Sequence, residues 1–316
     1  MNVVDQRIAA IDMGTNSFHL IIVKINKKGN LKLLDKEREF LRLGSESGSE
    51  LNFISENETE KAISVLRKFS TLANFHKAEI HAVSTSAVRE AKNKNDFIQK
   101  VLEQTGIIVE TIEGTKEAKL IFLGMKNALP IENKSVLGID IGGGSTEFIY
   151  GINGQISFAE SVKIGAVRLS KKFFPNYLVT DSAVKDCEEF VEEQIKSNKK
   201  INLNIDIDFA VGSSGTIDTI CLIKQTQKIG KAKGRLNGYE FDVNEFTEIY
   251  KQIMSLKTSN QRLSITGLEA KRADIIPAGL IILKKFFNLF KVKKMIFSEY
   301  ALREGVIFDI IDKSNN

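Results

Sequence analysis

One short pattern occurs twice in this chain. Ile8–Ser17, IAAIDMGTNS, carries an apolar run into Asp12, then Gly14, Thr15, Asn16 and Ser17, and a second apolar run follows at Leu20–Ile25. Val136–Tyr150, VLGIDIGGGSTEFIY, does the same with Asp140, then Gly142, Gly143, Gly144, Ser145, Thr146 and Glu147, then Phe148–Tyr150. Short runs rich in Ile and Val, interrupted by glycine, predict two strands joined by a tight turn. A fixed signature that opens each half of a chain is the mark of an internal duplication. The chain is therefore expected to fold as two similar halves. Facing one another, they would set two equivalent turns across one cleft.

The turns have a chemistry. Glycine admits backbone conformations closed to other residues and lets a ligand approach the N–H groups closely. Successive N–H groups in such a turn form a concavity suited to phosphate oxygens. An adjacent carboxylate can hold hydrated Mg²⁺, which binds through one or two carboxylates and the substrate's own phosphates. A glycine-rich hairpin that binds nothing has the same local pattern, so GGG alone leaves both readings open. The second copy favours the ligand.

Length and composition narrow the class. At 316 residues the chain suits about two domains, and its 42% hydrophobic and 27% charged content is that of a globular protein. No apolar run reaches the roughly 18 residues of a membrane span, and the first ten residues lead directly into a strand, so neither a membrane segment nor a secretory leader is expected. Cys187 and Cys221 lack CxxC spacing and are expected as buried free thiols in a reducing, cytoplasmic setting. His19, His76 and His81 have no ligand spacing, which argues against zinc, and His19 is expected as a satisfied residue within a strand. The net charge is +5, with cations concentrated at Lys224–Arg235 and at Lys284, Lys285, Lys291, Lys293 and Lys294. These can attract a polyanion or form a solvated rim, and for any one lysine the rim is favoured. With 8% aromatic residues and no Trp, nothing suggests a stacking platform, so no nucleic-acid partner is expected.

Strand and helix patterns alternate along the chain. Leu31–Leu43, Glu79–Val83 and Ile107–Ile112 read as strands, and Glu58–Phe75 has helical periodicity. Ser84, Thr85 and Ser86 supply N-cap chemistry for a helix from about Ala87 that carries Arg89. Arg89 reads either as a bidentate phosphate ligand or as an ion-pair partner of Glu90 or Glu39. Glu113 and Glu117 lie four apart at the start of a helix over Glu113–Leu129, where two acids suit the helix dipole and can also activate a water. Further on, Gln155–Val162 is a strand, Gly165–Arg168 opens a helix and Thr180–Lys196 is another. The strand Asp208–Val211 runs into Gly212, Ser213, Ser214, Gly215 and Thr216, a third glycine and hydroxyl turn at a strand-to-helix junction. Val243–Met254 is helical, and Thr266-x-x-Glu269 reads as a capping box opening a long helix through Phe287, bent at Pro277. Lys293–Phe297 is the last strand and Ser298–Asp312 the last helix.

Eight segments together, IDMGTNSFHL, STSAVREA, IEGTKEAKLIFLG, IDIGGGSTEF, IGAVRLS, VGSSGTID, RADIIPAGLIIL and EYALREGVI, resemble the exopolyphosphatase and guanosine pentaphosphate phosphohydrolase family. The resemblance runs from Ile8 to Ile307. It implies an α/β protein of two similar ribonuclease H-like (actin-like ATPase) domains, each a mixed sheet flanked by helices, with a cleft between them. The expected domains are 1–125 with 298–316, and 126–297.

The implied activity is hydrolysis of terminal phosphoanhydride bonds of inorganic polyphosphate, or of the 5′-γ-phosphate of guanosine pentaphosphate. By position in the matching motifs, Glu117 is implied as the general base and Arg89 as a ligand of the phosphate chain. Asp140 and Glu147, with Asp12, are implied to hold Mg²⁺ (or Mn²⁺) or its waters. The two hairpin turns, Gly14–Ser17 and Gly142–Thr146, and the turn Gly212–Thr216 are implied phosphate contacts, and relatives suggest a homodimer. Two features depart from the family pattern. Lys116 stands where the first acid of a Glu-Glu pair is common, which opens the alternative of a nucleotide- or polyphosphate-sensing binding protein with little turnover. The further helical region of longer members, associated with long polyphosphate, is not seen, which favours short chains or nucleotides.

Overall fold

The computed structural model describes residues 6–26, 29–230 and 236–315. Strands are β1 (Arg7–Met13), β2 (Ser17–Ile25), β3 (Leu31–Phe40), β4 (Glu79–Ser84), β5 (Val109–Thr111), β6 (Ser135–Ile141), β7 (Thr146–Ile152), β8 (Gln155–Val162), β9 (Phe209–Ser213), β10 (Glu240–Asp242) and β11 (Lys294–Phe297). Helices are α1 (Glu56–Phe75), α2 (Ser86–Glu90), α3 (Lys94–Thr105), α4 (Gly114–Ala128), α5 (Ala166–Phe173), α6 (Asp181–Ser197), α7 (Ser214–Ile229), α8 (Val243–Ser255), α9 (Ser259–Arg262), α10 (Ile276–Leu289) and α11 (Leu302–Asn315). Tertiary contacts divide the chain into Met1–Gly124 with Leu302–Asn316, and Met125–Ala301.

The first unit holds a sheet of order β3-β2-β1-β4-β5. The hairpin strands β1, β2 and β3 pair antiparallel, whereas β4 and β5 join in parallel. In the second unit β8-β7-β6-β9-β11 repeats that order and those directions, and β10 adds an antiparallel edge. Short turns permit only antiparallel neighbours, while parallel neighbours need a helical crossover, so each half combines both connections. The duplicated signature occupies the same place in both sheets, at the turn between the central strand and its hairpin partner.

Packing follows the strand period. Ala9, Ile11 and Met13 of β1 share a core with Ala62, Leu66 and Phe69 of α1 and Phe97 and Val101 of α3. Leu137, Ile139 and Ile141 of β6 do likewise with Cys187, Val191 and Ile195 of α6 and Leu280, Leu283 and Phe286 of α10. Residues two apart share a face, so an alternating set from each central strand is buried by helices. Cys187 and Cys221 are both buried free thiols, as expected. No helix among the described residues is long and apolar enough to cross a membrane.

Several local expectations are corrected. Thr266 and Glu269 do not open a helix; α10 begins at Ile276 with Pro277 in its first turn, where the missing N–H costs nothing, so proline starts this helix instead of bending it. Reciprocal capping boxes form instead at Ser55–Glu58, Asp242–Glu245 and Thr258–Gln261. The last helix begins at Leu302, not Ser298; the Ser298 hydroxyl donates to the Tyr300 carbonyl ahead of it. Ser84 and Ser86 do not cap α2, whose N-cap residue Thr85 makes no side-chain cap bond; their hydroxyls pair with Thr111 and Thr15. Of the basic stretch, Lys224 and Lys228 lie in α7 and residues 231–235 fall outside the described residues. Lys284, Lys285 and Lys294 are ion-paired with Glu188, Glu192 and Glu240.

Candidate active site

In the second unit the glycine turn after β6 is held from behind. Gly142 N–H closes the turn on Ser145 O at 3.0 Å. Gly142 O accepts from Ala166 N–H at 2.9 Å, and Gly143 O accepts from Val167 and Arg168 N–H at 2.9 and 3.1 Å. Gly144 O accepts from Arg168 Nε at 2.8 Å. The first turn of α5 and one arginine thus take three consecutive carbonyls. In a trans peptide the carbonyl and the next N–H point in opposite directions. The N–H groups of Gly143, Gly144 and Ser145 are therefore turned away from α5, and none has a backbone partner among the described residues. Three adjacent N–H groups turned to one side can hold an anion. Gly165 admits the close approach, since a Cβ there would lie 2.4 Å from Gly143 O.

Beside the cradle, Asp140 and Glu147 are direct cross-strand partners and so share a face. Ser145 and Ser161 hydroxyls donate to Glu147 Oε1 at 2.8 and 2.7 Å, and the Ser213 hydroxyl donates to Asp140 Oδ2. Glu147 is buried. Thr146 is fully buried, its hydroxyl donating to Ile164 O. Two neighbouring carboxylates with hydroxyl support match how Mg²⁺ is held, by few protein oxygens and by phosphate. Among the described residues no three His, Cys, Asp or Glu side chains gather as a complete metal cage.

The first unit repeats the plan with one exchange. Asp12 pairs across the hairpin with His19, where the other unit has Asp140 and Glu147. The Ser17 hydroxyl meets His19 Nε2 at 2.8 Å, the counterpart of Ser145 and Glu147. A Cβ on Gly14 or on Gly142 would lie 3.0 Å from the carbonyl oxygen three residues on, so the two turns are tight at the same point. Thr15 bonds the Ser86 hydroxyl at 2.9 Å, and buried Asn16 Oδ1 has no hydrogen-bond partner among the described residues. His19 Nδ1 lies 3.4 Å from Arg303, consistent with its expected role as a satisfied residue.

Arg89 and Glu117 meet in this unit. Arg89 Nη1 donates to Ile112 O at 2.9 Å and pairs with Glu117 Oε2 at 2.8 Å, both side chains largely buried. Of the alternative ion-pair partners, Glu39 instead pairs with Lys68. Glu113 is exposed just before α4, and Lys116 pairs with Glu110 at the surface. Gly305 of α11 sits against α4, a Cβ there falling 1.9 Å from Leu120 O, which fixes the helix that carries Glu117.

The third turn is more enclosed than its sequence suggests. Gly212 and Ser213 end β9, and Ser214 begins α7 with φ 84°, its hydroxyl accepting from Ile141 N–H at 3.1 Å. Gly215 lies against the Arg272 guanidinium, and buried Thr216 lies against Gly279 of α10. Sequence reading did not single out Ser86, Ser161 or Arg168 as site residues. Ser161 comes to Glu147 through the pairing of β7 with β8, which sets the two opposite each other in the ladder.

Residues 21–314 match the profile of the Ppx/GppA phosphatase family. The chain belongs to that family. The crystal structure of an exopolyphosphatase from Cytophaga hutchinsonii superposes with a TM-score of 0.90 at 32% identity, covering 98% of each chain. Exopolyphosphatase 1 of Mycobacterium leprae is 26% identical over 97% of this chain and 90% of its own length. Guanosine-5'-triphosphate,3'-diphosphate pyrophosphatase of Photobacterium profundum is 28% identical over 96% of this chain, which spans only 59% of that protein. The two mixed sheets agree with the fold that the resemblance implies.

Proposed function

We propose that this chain is an exopolyphosphatase that hydrolyses the terminal phosphoanhydride bond of inorganic polyphosphate and releases orthophosphate. The observation that carries the reading is the row of three outward N–H groups at Gly143, Gly144 and Ser145. Anhydride cleavage needs an in-line water, charge neutralisation and firm positioning of the phosphoryl group. The N–H row binds the phosphoryl oxygens and keeps its dipoles fixed as charge develops on them. Arg89 binds the phosphate chain, and Glu117 takes the proton of the attacking water. Asp140 and Glu147 would hold Mg²⁺ or Mn²⁺, which neutralises phosphate charge when bound. Ser145, Ser161 and Ser213 keep those two carboxylates in place by donating to them.

Polyphosphate is preferred over guanosine pentaphosphate because the exopolyphosphatases from Cytophaga hutchinsonii and Mycobacterium leprae match over nearly their whole length, whereas the guanosine-nucleotide relative matches over 59% of its own. Orthophosphate release from short polyphosphate and from guanosine pentaphosphate, assayed side by side with Mg²⁺, tests the reading. Faster release from polyphosphate supports it. Faster release from the nucleotide assigns the second substrate, and release from neither favours a nucleotide- or polyphosphate-sensing binding protein.

A further inference from the structure

We infer that Arg168 is a positioning residue of the phosphate cradle, acting through the Gly144–Ser145 peptide. Arg168 is buried and sits in the first turn of α5, on the side of the glycine turn opposite its outward N–H groups. Its Nε donates to Gly144 O at 2.8 Å, and its own N–H donates to Gly143 O at 3.1 Å. One residue therefore fixes two successive peptide planes of the turn. Gly143 and Gly144 lack side chains that would restrain those planes, and glycine peptides rotate readily. Without the guanidinium, the Gly144 carbonyl has no side-chain donor in the described contacts, and the Ser145 N–H loses the constraint that aims it outward.

The bond also has an electrostatic effect. A charged donor makes a stronger hydrogen bond than a neutral one, and donation to a carbonyl polarises the peptide and strengthens its N–H as a donor. Arg168 thus aligns and strengthens the Ser145 N–H without touching the ligand. Lysine supplies the charge but not the planar Nε–H held at this angle, so it is a partial substitute.

The inference rests on the reading of the turn as a phosphate site, and its test separates the two. Binding of tripolyphosphate is measured by calorimetry on wild-type protein, Arg168→Ala and Arg168→Lys, with the folded fraction of each fixed by circular dichroism. The Ser145 amide is followed in protein carrying ¹⁵N-serine. The expected result is at least tenfold weaker binding in Arg168→Ala, an intermediate value in Arg168→Lys, and partial recovery of Arg168→Ala by methylguanidinium. The Ser145 amide proton is expected to move upfield in ligand-free Arg168→Ala. Wild-type affinity in a folded Arg168→Ala, or weakening that methylguanidinium leaves unchanged with an unmoved Ser145 amide, overturns the role of Arg168 alone. If Arg168→Ala does not fold, Arg168→Lys decides: unchanged affinity and an unmoved amide overturn the role. No binding by the wild-type protein overturns the phosphate site and this inference together.

Discussion

Arg89 Nη1 lies 2.8 Å from Glu117 Oε2, so the residue assigned to the phosphate chain holds the carboxylate assigned to the attacking water. The two are 28 positions apart and reach each other from α2 and α4. Arg89 also donates to the Ile112 carbonyl, which fixes the guanidinium just before α4 begins. Under the proposed function, a phosphate chain would compete with Glu117 for Arg89 and so free the carboxylate to accept a proton.

Replacing Glu117 by Gln removes the proton acceptor while keeping its shape. The expected outcome is a fall in kcat of about 10²–10⁴-fold, the usual contribution of a general base. Steady-state phosphate release checks this, and a rate within a few-fold of wild type rejects the assignment.

Breaking the buried pair from one side should cost more stability than removing both charges. Arg89→Met leaves the Glu117 carboxylate without this partner, and loss of one member of a buried pair costs about 3–5 kcal/mol. The double variant Arg89→Met, Glu117→Gln is expected to recover part of that loss. Urea unfolding of the four proteins gives the coupling, and strictly additive losses would show that the pair is not energetically linked.

Chelation with EDTA is expected to abolish phosphate release, and Mg²⁺ or Mn²⁺ to restore it. Asp140→Asn should raise the Mg²⁺ concentration for half-maximal rate by at least about tenfold, because one of two neighbouring carboxylates is lost. A Mg²⁺ titration of wild type and variant decides, and unchanged half-saturation removes Asp140 from the metal site.

Acid sensitivity should trace in part to Glu192. Hydrogen bonds from Lys196 and Lys285 hold its carboxyl down at about 2, against an ordinary 4.5. A depressed carboxylate stabilises the fold above its unfolded value, and the contribution fades as pH falls from about 4.5 towards 2. Solvent access to these side chains keeps the effect small. Glu192→Gln should therefore lose less melting temperature between neutral pH and about pH 3 than wild type does.

Both cysteines should be inert in the folded protein. Burial pushes the Cys187 thiol up to about 12 and Cys221 higher still, and only the thiolate reacts. A chromogenic disulfide reagent at neutral pH is expected to label neither thiol until denaturant is added. Rapid labelling of the native protein would contradict their burial.

Much of the site's local frame could be read from the chain itself. Apolar runs, an aspartate and glycines fix a strand–turn–strand unit through neighbouring backbone sterics, and its recurrence at Asp12 and Asp140 carried the duplicated sheets. The helices around Glu117 and Arg89 were equally local, since periodicity and polar first turns act within a few residues. Where hydroxyls would go was not legible: Ser84 and Ser86 looked like caps, yet tertiary neighbours Thr111 and Thr15 compete for them. Thr266 and Glu269 failed as a helix start because the segment is shaped by its packing, with Gly267 at φ 91° against the Ile223 backbone.

Sequence alone determined that this chain has two copies of a glycine turn flanked by carboxylate, because that pattern depends on covalent geometry and near neighbours. Tertiary structure alone decided the partners: Arg89 with Glu117, Ser161 with Glu147, Arg168 with the Gly144 carbonyl. Each joins residues far apart in the chain, and a hydrogen bond selects its partner only after packing has brought the two within 3 Å.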